Sequence, residues 1–208
     1  MKLLAALLIC CADFAWAEAP VDPHAGHAMG AEPALPAGEA TKASLYDLEL
    51  RLVDHAGRKV KLDLFRGQPV LISMFYGTCT TACPLLVAKV KKLEAKLSPG
   101  AKAGVRVLLV SFDPVRDTPK ALEKLAGTFG LDARWRLAQA PEDSVRTLAA
   151  ALGIRYRFLS DGTLNHSSLL TLLDGEGTVA ARIEGLDTPD DAIVGKLEAL
   201  AGKKTPSR

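Results

Sequence analysis

The chain has 208 residues, of which 49% are hydrophobic and 24% are charged, and its formal net charge is +2. This length allows one well-packed domain with appendages, and the composition is that of an ordinary globular protein. The nearly balanced charge gives no electrostatic basis for nucleic-acid binding, and the basic tail at residues 203–208 is short enough to be a solvated terminus.

The start of the chain has the pattern of an export signal. Residues 1–17 combine a positive start, an apolar run at residues 3–12 and an A-x-A cleavage site at residues 15–17. We therefore expect a bacterial periplasmic protein, with an uncleaved signal that anchors the chain to the inner membrane as the alternative. A lipoprotein attached at Cys10 or Cys11 ranks third, because the residues before these cysteines fit that signal poorly.

Residues 18–43 are predicted to be a flexible linker, because they consist largely of Ala, Pro, Gly and Glu. This linker contains His24, His27 and Met29, whose imidazole and thioether groups could form an auxiliary site for copper in either oxidation state. The alternative is that these side chains have no metal-binding role.

The predicted domain, residues 44–202, begins with a β-hairpin. Leucines alternate with polar residues over positions 46–52, residues 54–57 have turn chemistry, and the alternation resumes at Val60. His55 falls at the tip of this turn, where we expect a solvated side chain.

The central stretch places two cysteines between a strand and a helix. The apolar run at residues 69–76 predicts a buried parallel strand, and residues 85–97 have the spacing of an amphipathic helix. Pro84 fits the first helical position, which puts Cys83 at or beside the N-cap and Cys79 in the loop before it. Unpaired N–H groups and the positive end of the helix dipole favour a thiolate at such a position.

Removal of the predicted signal would leave Cys79 and Cys83 as the two cysteines of the mature chain. Such a pair can bind a soft metal, alternate between dithiol and disulfide, or form a structural crosslink. One close pair in a chain of this size favours chemistry over stapling.

The rest of the chain alternates between strand and helix patterns. The predicted elements are a strand at 105–112, a helix from the Thr118 cap to Phe129, a short strand at 134–137, a helix at 141–152, a polar loop at 160–167, a hairpin of 168–173 and 178–183, and a helix at 189–200 with a capping box at Thr188. This order predicts an α/β sandwich with a mixed central sheet flanked by helices. Functional side chains are expected at the carboxyl ends of its parallel strands, where the Cys79 loop and the Asp113 loop both fall.

Three separated motifs carry a family resemblance. They are the C-x-x-x-C-P of residues 79–84, the Ser-Phe-Asp-Pro of residues 111–114 that continues into Arg-Asp-Thr-Pro at 116–119, and the Asn-His-Ser of residues 165–167. In this order and spacing they make the chain resemble the Sco/SenC proteins, thioredoxin-fold copper proteins of the respiratory chain, over residues 45–201.

The resemblance implies a thioredoxin-like fold and a copper site built from Cys79, Cys83 and His166. Two thiolates suit Cu(I), and an added imidazole allows the site to hold Cu(II) as well. Taken alone, His166 would be interpreted as an ordinary loop histidine. The resemblance also implies that Asp113 lies near the site and influences copper transfer; we favour Asp113 over Asp117, while turn or capping roles would explain both equally well.

Two functions of different classes follow. The first is a periplasmic metallochaperone, rather than an enzyme, that delivers copper to the binuclear copper centre of a respiratory cytochrome oxidase or to another periplasmic copper protein. The alternative is a thiol–disulfide oxidoreductase that keeps the cysteines of the copper-accepting partner reduced. His166 separates them, because metal binding needs this residue and dithiol exchange does not.

Other readings of the cysteine pair are weaker. Its C-x-x-x-C spacing is one residue longer than the C-x-x-C of thioredoxin-type reductases, which disfavours general disulfide exchange. A thiol peroxidase would need a cation beside the cysteine, and residues 74–86 contain none. A structural disulfide in a periplasmic binding domain is the remaining alternative.

Overall fold

A computed structural model of the protein describes residues 35–77, 82–160 and 163–202. The predicted signal, the tract of His24, His27 and Met29, the residue Cys79 and the basic tail lie outside these ranges, so the statements about them stay predictions. None of the helices in the described ranges is long and apolar enough to cross a membrane.

Helices and strands alternate along most of the domain, as the sequence predicts. In chain order they are a 3-10 helix (Leu45–Asp47), β1 (Leu52–Asp54), β2 (Lys59–Val60), a second 3-10 helix (Leu62–Phe65), β3 (Val70–Phe75), α1 (Ala82–Ala95), α2 (Pro99–Gly104), β4 (Arg106–Ser111), α3 (Pro119–Thr128), β5 (Trp135–Gln139), α4 (Glu142–Leu152), β6 (Tyr156–Phe158), β7 (Leu164–His166), β8 (Leu169–Leu173), β9 (Val179–Glu184) and α5 (Asp191–Ala201).

The described strands form one large mixed sheet and one small ribbon. The large sheet has the order β2-β1-β5-β4-β3-β8-β9, and β6 pairs with β7 in a separate two-stranded sheet. The three central strands β5, β4 and β3 are parallel, whereas the strands on both sides of them pair antiparallel. This arrangement confirms the predicted α/β architecture with a mixed central sheet.

Each face of the large sheet carries a hydrophobic core, because successive side chains of a strand point to opposite faces. On β4, Val107 and Leu109 belong to one core, while Leu108 and Val110 belong to the other. Helices α1, α3 and α5 contribute to the first core and α4 to the second. The sheet is therefore covered by helices on both faces, as expected for a sandwich.

The predicted strand over residues 46–52 is wrong except at its last position. The hydroxyl of Ser44 accepts the N–H of Tyr46 at 3.2 Å and caps a 3-10 turn. The N–H of Leu45 donates to the carbonyl of Gly177 at 2.9 Å. These bonds give the backbone an alternative to a strand ladder, and Leu45, Tyr46 and Leu50 are buried without forming a strand.

The predicted capping box at the last helix is also wrong. The hydroxyl of Thr188 donates to the carbonyl of Glu184, and α5 begins only after Asp190, whose carboxylate binds the ammonium group of Lys96. Helix α2, which the sequence analysis did not predict, follows the N-cap Ser98.

Residues 38–41, which the sequence assigns to the linker, are bound to the folded domain. The N–H of Gly38 donates to the carbonyl of Gly153, and the N–H of Thr41 donates to the carbonyl of Ala151, both at 2.8 Å. A composition rich in Ala and Gly predicts flexibility, but its backbone groups can still bind a neighbouring helix end. The folded domain therefore begins ahead of the predicted boundary.

The turn between β1 and β2 is organised by the buried side chain of Asp54. Its carboxylate accepts the N–H groups of Ala56 at 3.0 Å and Arg58 at 2.9 Å. The guanidinium groups of Arg58 and Arg136 lie 2.8 Å and 2.5 Å from it. Burial alone would raise the pKa of Asp54, but the hydrogen bonds and charge of Arg58 outweigh burial and hold the pKa below its ordinary value.

His55 is not the solvated tip residue that the sequence predicts. Its Nδ1 accepts the N–H of Leu137 at 3.2 Å, and its own N–H donates to the Leu137 carbonyl at 2.8 Å. The turn is thus attached to β5.

Replacement of Asp54 by alanine should lower the free energy of unfolding at neutral pH by about 3 kcal/mol, because it removes a buried carboxylate with four partners. Since the pKa of Asp54 is lowered by folding, its contribution is present above the unfolded carboxyl pKa of about 4 and is lost as the pH falls below that value. Urea denaturation at several pH values measures both effects. The exposed Asp63→Ala is the control and should change stability by less than about 0.5 kcal/mol; an equal loss in both variants would contradict the argument.

Candidate metal centre

Two loops leave the sheet side by side at the candidate site. Strands β3 and β4 are parallel neighbours, with Phe75 opposite Ser111 at their carboxyl ends. The chain continues from β3 toward the cysteines and from β4 into the turn at residues 113–117. Both segments therefore follow the carboxyl ends of neighbouring parallel strands, as the sequence predicts.

Cys83 lies in the first turn of α1, slightly inside the helix rather than at its N-cap, because α1 begins at Ala82. Pro84 is accommodated there since the first N–H groups of a helix have no intrahelical partner. The Cys83 side chain is buried, and its thiol donates a hydrogen bond to the carbonyl of Tyr76 at 3.0 Å. This bond connects the first turn of α1 to the end of β3.

His166 is the last residue of β7, where it pairs with Tyr156, and is not part of an irregular loop as predicted. Its Nδ1 lies 3.0 Å from the carbonyl oxygen of Ser167. A carbonyl oxygen only accepts, so Nδ1 carries a proton, and in the neutral imidazole the lone pair of Nε2 is available to a ligand.

Aromatic rings hold the imidazole of His166 on two sides. The ring of Phe112 lies 5.1 Å from it in a tilted arrangement, and the ring of Tyr76 meets it edge-on at 6.1 Å. The same Phe112 ring packs against Tyr156 at 5.0 Å. The orientation of the imidazole is therefore fixed by packing as well as by its hydrogen bond.

The thiol-bearing Cys83 and the imidazole-bearing His166 line one small cavity of about 10 Å³. That is the space of about one water molecule or ion. The remaining lining is largely apolar and includes Met74, Phe75 and Leu86. Of the three predicted copper ligands, the structure thus brings these two together.

Cys79, the third predicted ligand, lies outside the described residues. Within the described ranges, no group of three or more His, Cys, Asp or Glu side chains could hold a metal ion. The chemistry of the described part is a soft thiol and an imidazole in an apolar setting, which suits copper or zinc better than magnesium or calcium.

Asp113 engages its own turn. Its carboxylate accepts the N–H of Arg116 at 3.1 Å and pairs with the guanidinium of that residue at 2.8 Å. Its own N–H donates to the hydroxyl of Ser111 at 2.9 Å.

Asp117 is the carboxylate that reaches the cysteine loop. It accepts the N–H of Gly77 at 2.7 Å and the hydroxyl proton of Ser111. Burial raises the pKa of Asp117, since its side chain is almost completely removed from water. From the sequence, Asp117 is less favoured than Asp113 as a functional residue. One sequence feature points to Asp117: it is a second acidic residue in a turn where Thr118 already caps the following helix.

Together these features describe a thioredoxin-like α/β protein with a thiol and an imidazole at the carboxyl edge of its sheet. The SCO1/SenC family model matches residues 38–202, and the chain belongs to this family. The SCO1 protein homolog of Bacillus subtilis is 25% identical over 156 residues, which cover 71% of this chain and 79% of that protein.

Solved structures of the same family share the fold. ScoI of Bradyrhizobium japonicum with copper bound has a TM-score of 0.62 and 20% identity, over 73% of this chain and 96% of that one. BsSco is described as a member of the Sco family of cytochrome c oxidase assembly proteins in which a disulfide switch was identified. It has a TM-score of 0.65 and 22% identity, over 80% of this chain and 99% of that one. These likenesses confirm the predicted thioredoxin-like fold.

The two described histidines should have opposite tautomers in the neutral state. His166 donates from Nδ1, whereas His55 accepts at Nδ1 and must carry its proton on Nε2. Long-range ¹⁵N–¹H NMR spectra of the metal-free protein at about pH 8, where histidines are neutral, distinguish the two forms. His55→Gln and His166→Gln variants assign the signals. An Nε2-protonated His166 would contradict the site geometry.

Proposed function

We propose that the protein is a periplasmic metallochaperone that binds copper and delivers it to the binuclear copper centre of a respiratory cytochrome oxidase. The observation that carries this proposal is the small, largely apolar cavity shared by the Cys83 thiol and the His166 imidazole, whose Nδ1 faces the Ser167 carbonyl. Thiolate with imidazole is a ligand set that suits copper or zinc, and the family relationship favours copper. Membership of the SCO1/SenC family and the copper-bound ScoI structure support the same cargo.

The proposed ligand set is Cys79, Cys83 and His166. Cys79 lies four residues before Cys83 in the sequence. This separation is short enough for its thiolate to approach the same cavity. Two thiolates favour Cu(I), and the imidazole extends the site to Cu(II). Transfer to a partner through shared thiolate ligands would avoid release of the free ion.

Asp113 is proposed to influence transfer from a position beside the ligands. Its carboxylate pairs with the guanidinium of Arg116, and the Arg116 side chain is half-exposed. Through this pair the acidic residue can orient a cation toward an approaching copper-accepting subunit.

The alternative function, a thiol–disulfide oxidoreductase that reduces the cysteines of the copper acceptor, uses the same cysteine pair. The disulfide switch identified in the similar BsSco structure favours it. In this reaction the Cys79 and Cys83 thiols would form a disulfide while the partner's disulfide gains two electrons and two protons.

Cu(I) binding separates the two functions. The reduced protein should bind one Cu(I) tightly, lose this binding in Cys79→Ser/Cys83→Ser, and bind at least about 100-fold more weakly in His166→Ala, because a ligand is removed. Competition with a chromophoric Cu(I) chelator measures the affinity. His55→Ala is the control, since this residue binds β5 and not the cavity.

Copper affinity that is unchanged in His166→Ala would overturn the metallochaperone proposal in favour of the reductase.

The affinity for copper should also fall as the pH is lowered through mild acid, because both thiols must lose their protons and the histidine must be neutral when copper binds.

The linker residues His24, His27 and Met29 are proposed to hold an auxiliary copper. Their replacement by alanine should remove a second, weaker copper and leave the tight one in place, because a donor set without thiolates binds Cu(I) less strongly than one with two. Copper titration of the triple variant beside the unchanged protein gives both stoichiometries. Identical stoichiometries would show that the linker tract has no copper-binding role.

A further inference from the structure

Asp117 makes contacts that no capping role explains. The residue is 3% exposed, and its carboxylate is bound by neutral donors, the N–H of Gly77 at 2.7 Å and the hydroxyl of Ser111. Helix α3 does not need it, because the hydroxyl of Thr118 already caps that helix by accepting the N–H of Ala121 at 3.3 Å. Burial of a carboxylate is costly, so its retention at this place calls for a reason.

Gly77 is fitted to Asp117. A Cβ atom at this position would lie 2.3 Å from an oxygen of the Asp117 carboxylate. The backbone of Gly77 is not among those with positive φ, so the conformation itself would accept other residues. The absence of a side chain therefore serves the close approach of the carboxylate.

The bond from Gly77 to Asp117 leads directly to the Cys83 thiol. The N–H of Gly77 and the carbonyl of Tyr76 belong to one planar peptide group. Its N–H donates to Asp117, and its carbonyl accepts the Cys83 thiol at 3.0 Å. The peptide group thus forms a relay of two hydrogen bonds, in which each bond polarises and orients the other.

We propose that Asp117 is a positioning residue of the copper site, which acts through the Tyr76–Gly77 peptide group to place the Cys83 side chain and the start of the cysteine loop in the metal-free protein, before the thiol loses its proton to bind copper. This inference rests on the proposed copper-binding function. It differs from the role of Asp113, whose carboxylate binds Arg116 in the adjoining turn. Outer-sphere partners of this kind typically change metal affinity by 10–100-fold when removed.

Three variants of the full-length protein test the relay. Asp117→Ala should weaken Cu(I) binding by about 10-fold or more, since the peptide group loses its anchor. Asp117→Asn keeps an acceptor of the same shape and should restore affinity to within about 3-fold, a difference near the usual context-dependence of such effects. Thr118→Ala is the matched control: it removes the neighbouring cap and lowers stability by about the amount of a lost N-cap, with unchanged copper affinity.

A second readout does not depend on copper. In the metal-free protein the amide hydrogen of Gly77 should exchange at least about 10-fold faster in Asp117→Ala than in the unchanged protein, and at a nearly unchanged rate in Asp117→Asn. If the unchanged protein bound no copper, the proposed function would fail while the exchange rates would still decide whether the relay exists.

The contact itself is tested by a double variant. Gly77→Ala should weaken copper binding because its Cβ displaces the Asp117 carboxylate, and Gly77→Ala/Asp117→Ala should be no weaker than Asp117→Ala alone. Additive losses, an unchanged Gly77 exchange rate in Asp117→Ala, or equal copper affinities of Asp117→Ala and Thr118→Ala would each overturn the proposal. Should Asp117→Ala fail to fold, the single variants Gly77→Ala and Asp117→Asn decide the same question. Copper binding should weaken in the first and stay within about 3-fold of the unchanged protein in the second.

Discussion

Parallel pairing of β3 with β4 is the constraint on which the candidate site depends. The register that places Phe75 opposite Ser111 ends both strands at one level, so two loops leave the sheet at the same edge. Asp117 can therefore reach Gly77 from the neighbouring strand's loop, while the antiparallel β8 follows directly on the strand that carries His166. A register shift of one residue would turn Ser111 to the other face of the sheet and separate this carboxylate from its loop.

The described ligands are held before any metal arrives. The thiol of Cys83 has its acceptor, the imidazole of His166 has its tautomer fixed by Ser167, and the rings of Tyr76 and Phe112 limit its rotation. Side chains that are already ordered lose less conformational entropy when they bind. The apolar lining of the cavity adds to this effect, since charge–ligand interactions are stronger where water is excluded.

Sequence patterns predict structure here where a local preference decides it. The apolar runs of β3 and β4 are buried on both faces, and the ends of α3 and α4 are set by Thr118 and Gly153. Sequence patterns fail at Tyr46 and Thr188, because there a partner remote in sequence or a competing side-chain hydrogen bond determines the backbone conformation. At the site, Cys83 was predictable as a candidate ligand from its chemistry, whereas His166 was predicted only through the family resemblance. The Asp117–Gly77 bond was not predictable, because it joins a side chain to a backbone group 40 residues away.

The distance along the chain between Cys83 and His166 has a consequence for the order of events in the life of the molecule. Strands β4, β5, β6 and β7 must all be formed between these residues before thiol and imidazole share a cavity. Of the proposed Cys79, Cys83 and His166 set, a nascent or translocating polypeptide can offer a metal only the two nearby cysteines. An ion that needs the imidazole as well must wait for the finished domain, and by binding it selectively it raises the stability of the native state by mass action. Cargo loading on the proposed export route would thus report that folding is complete.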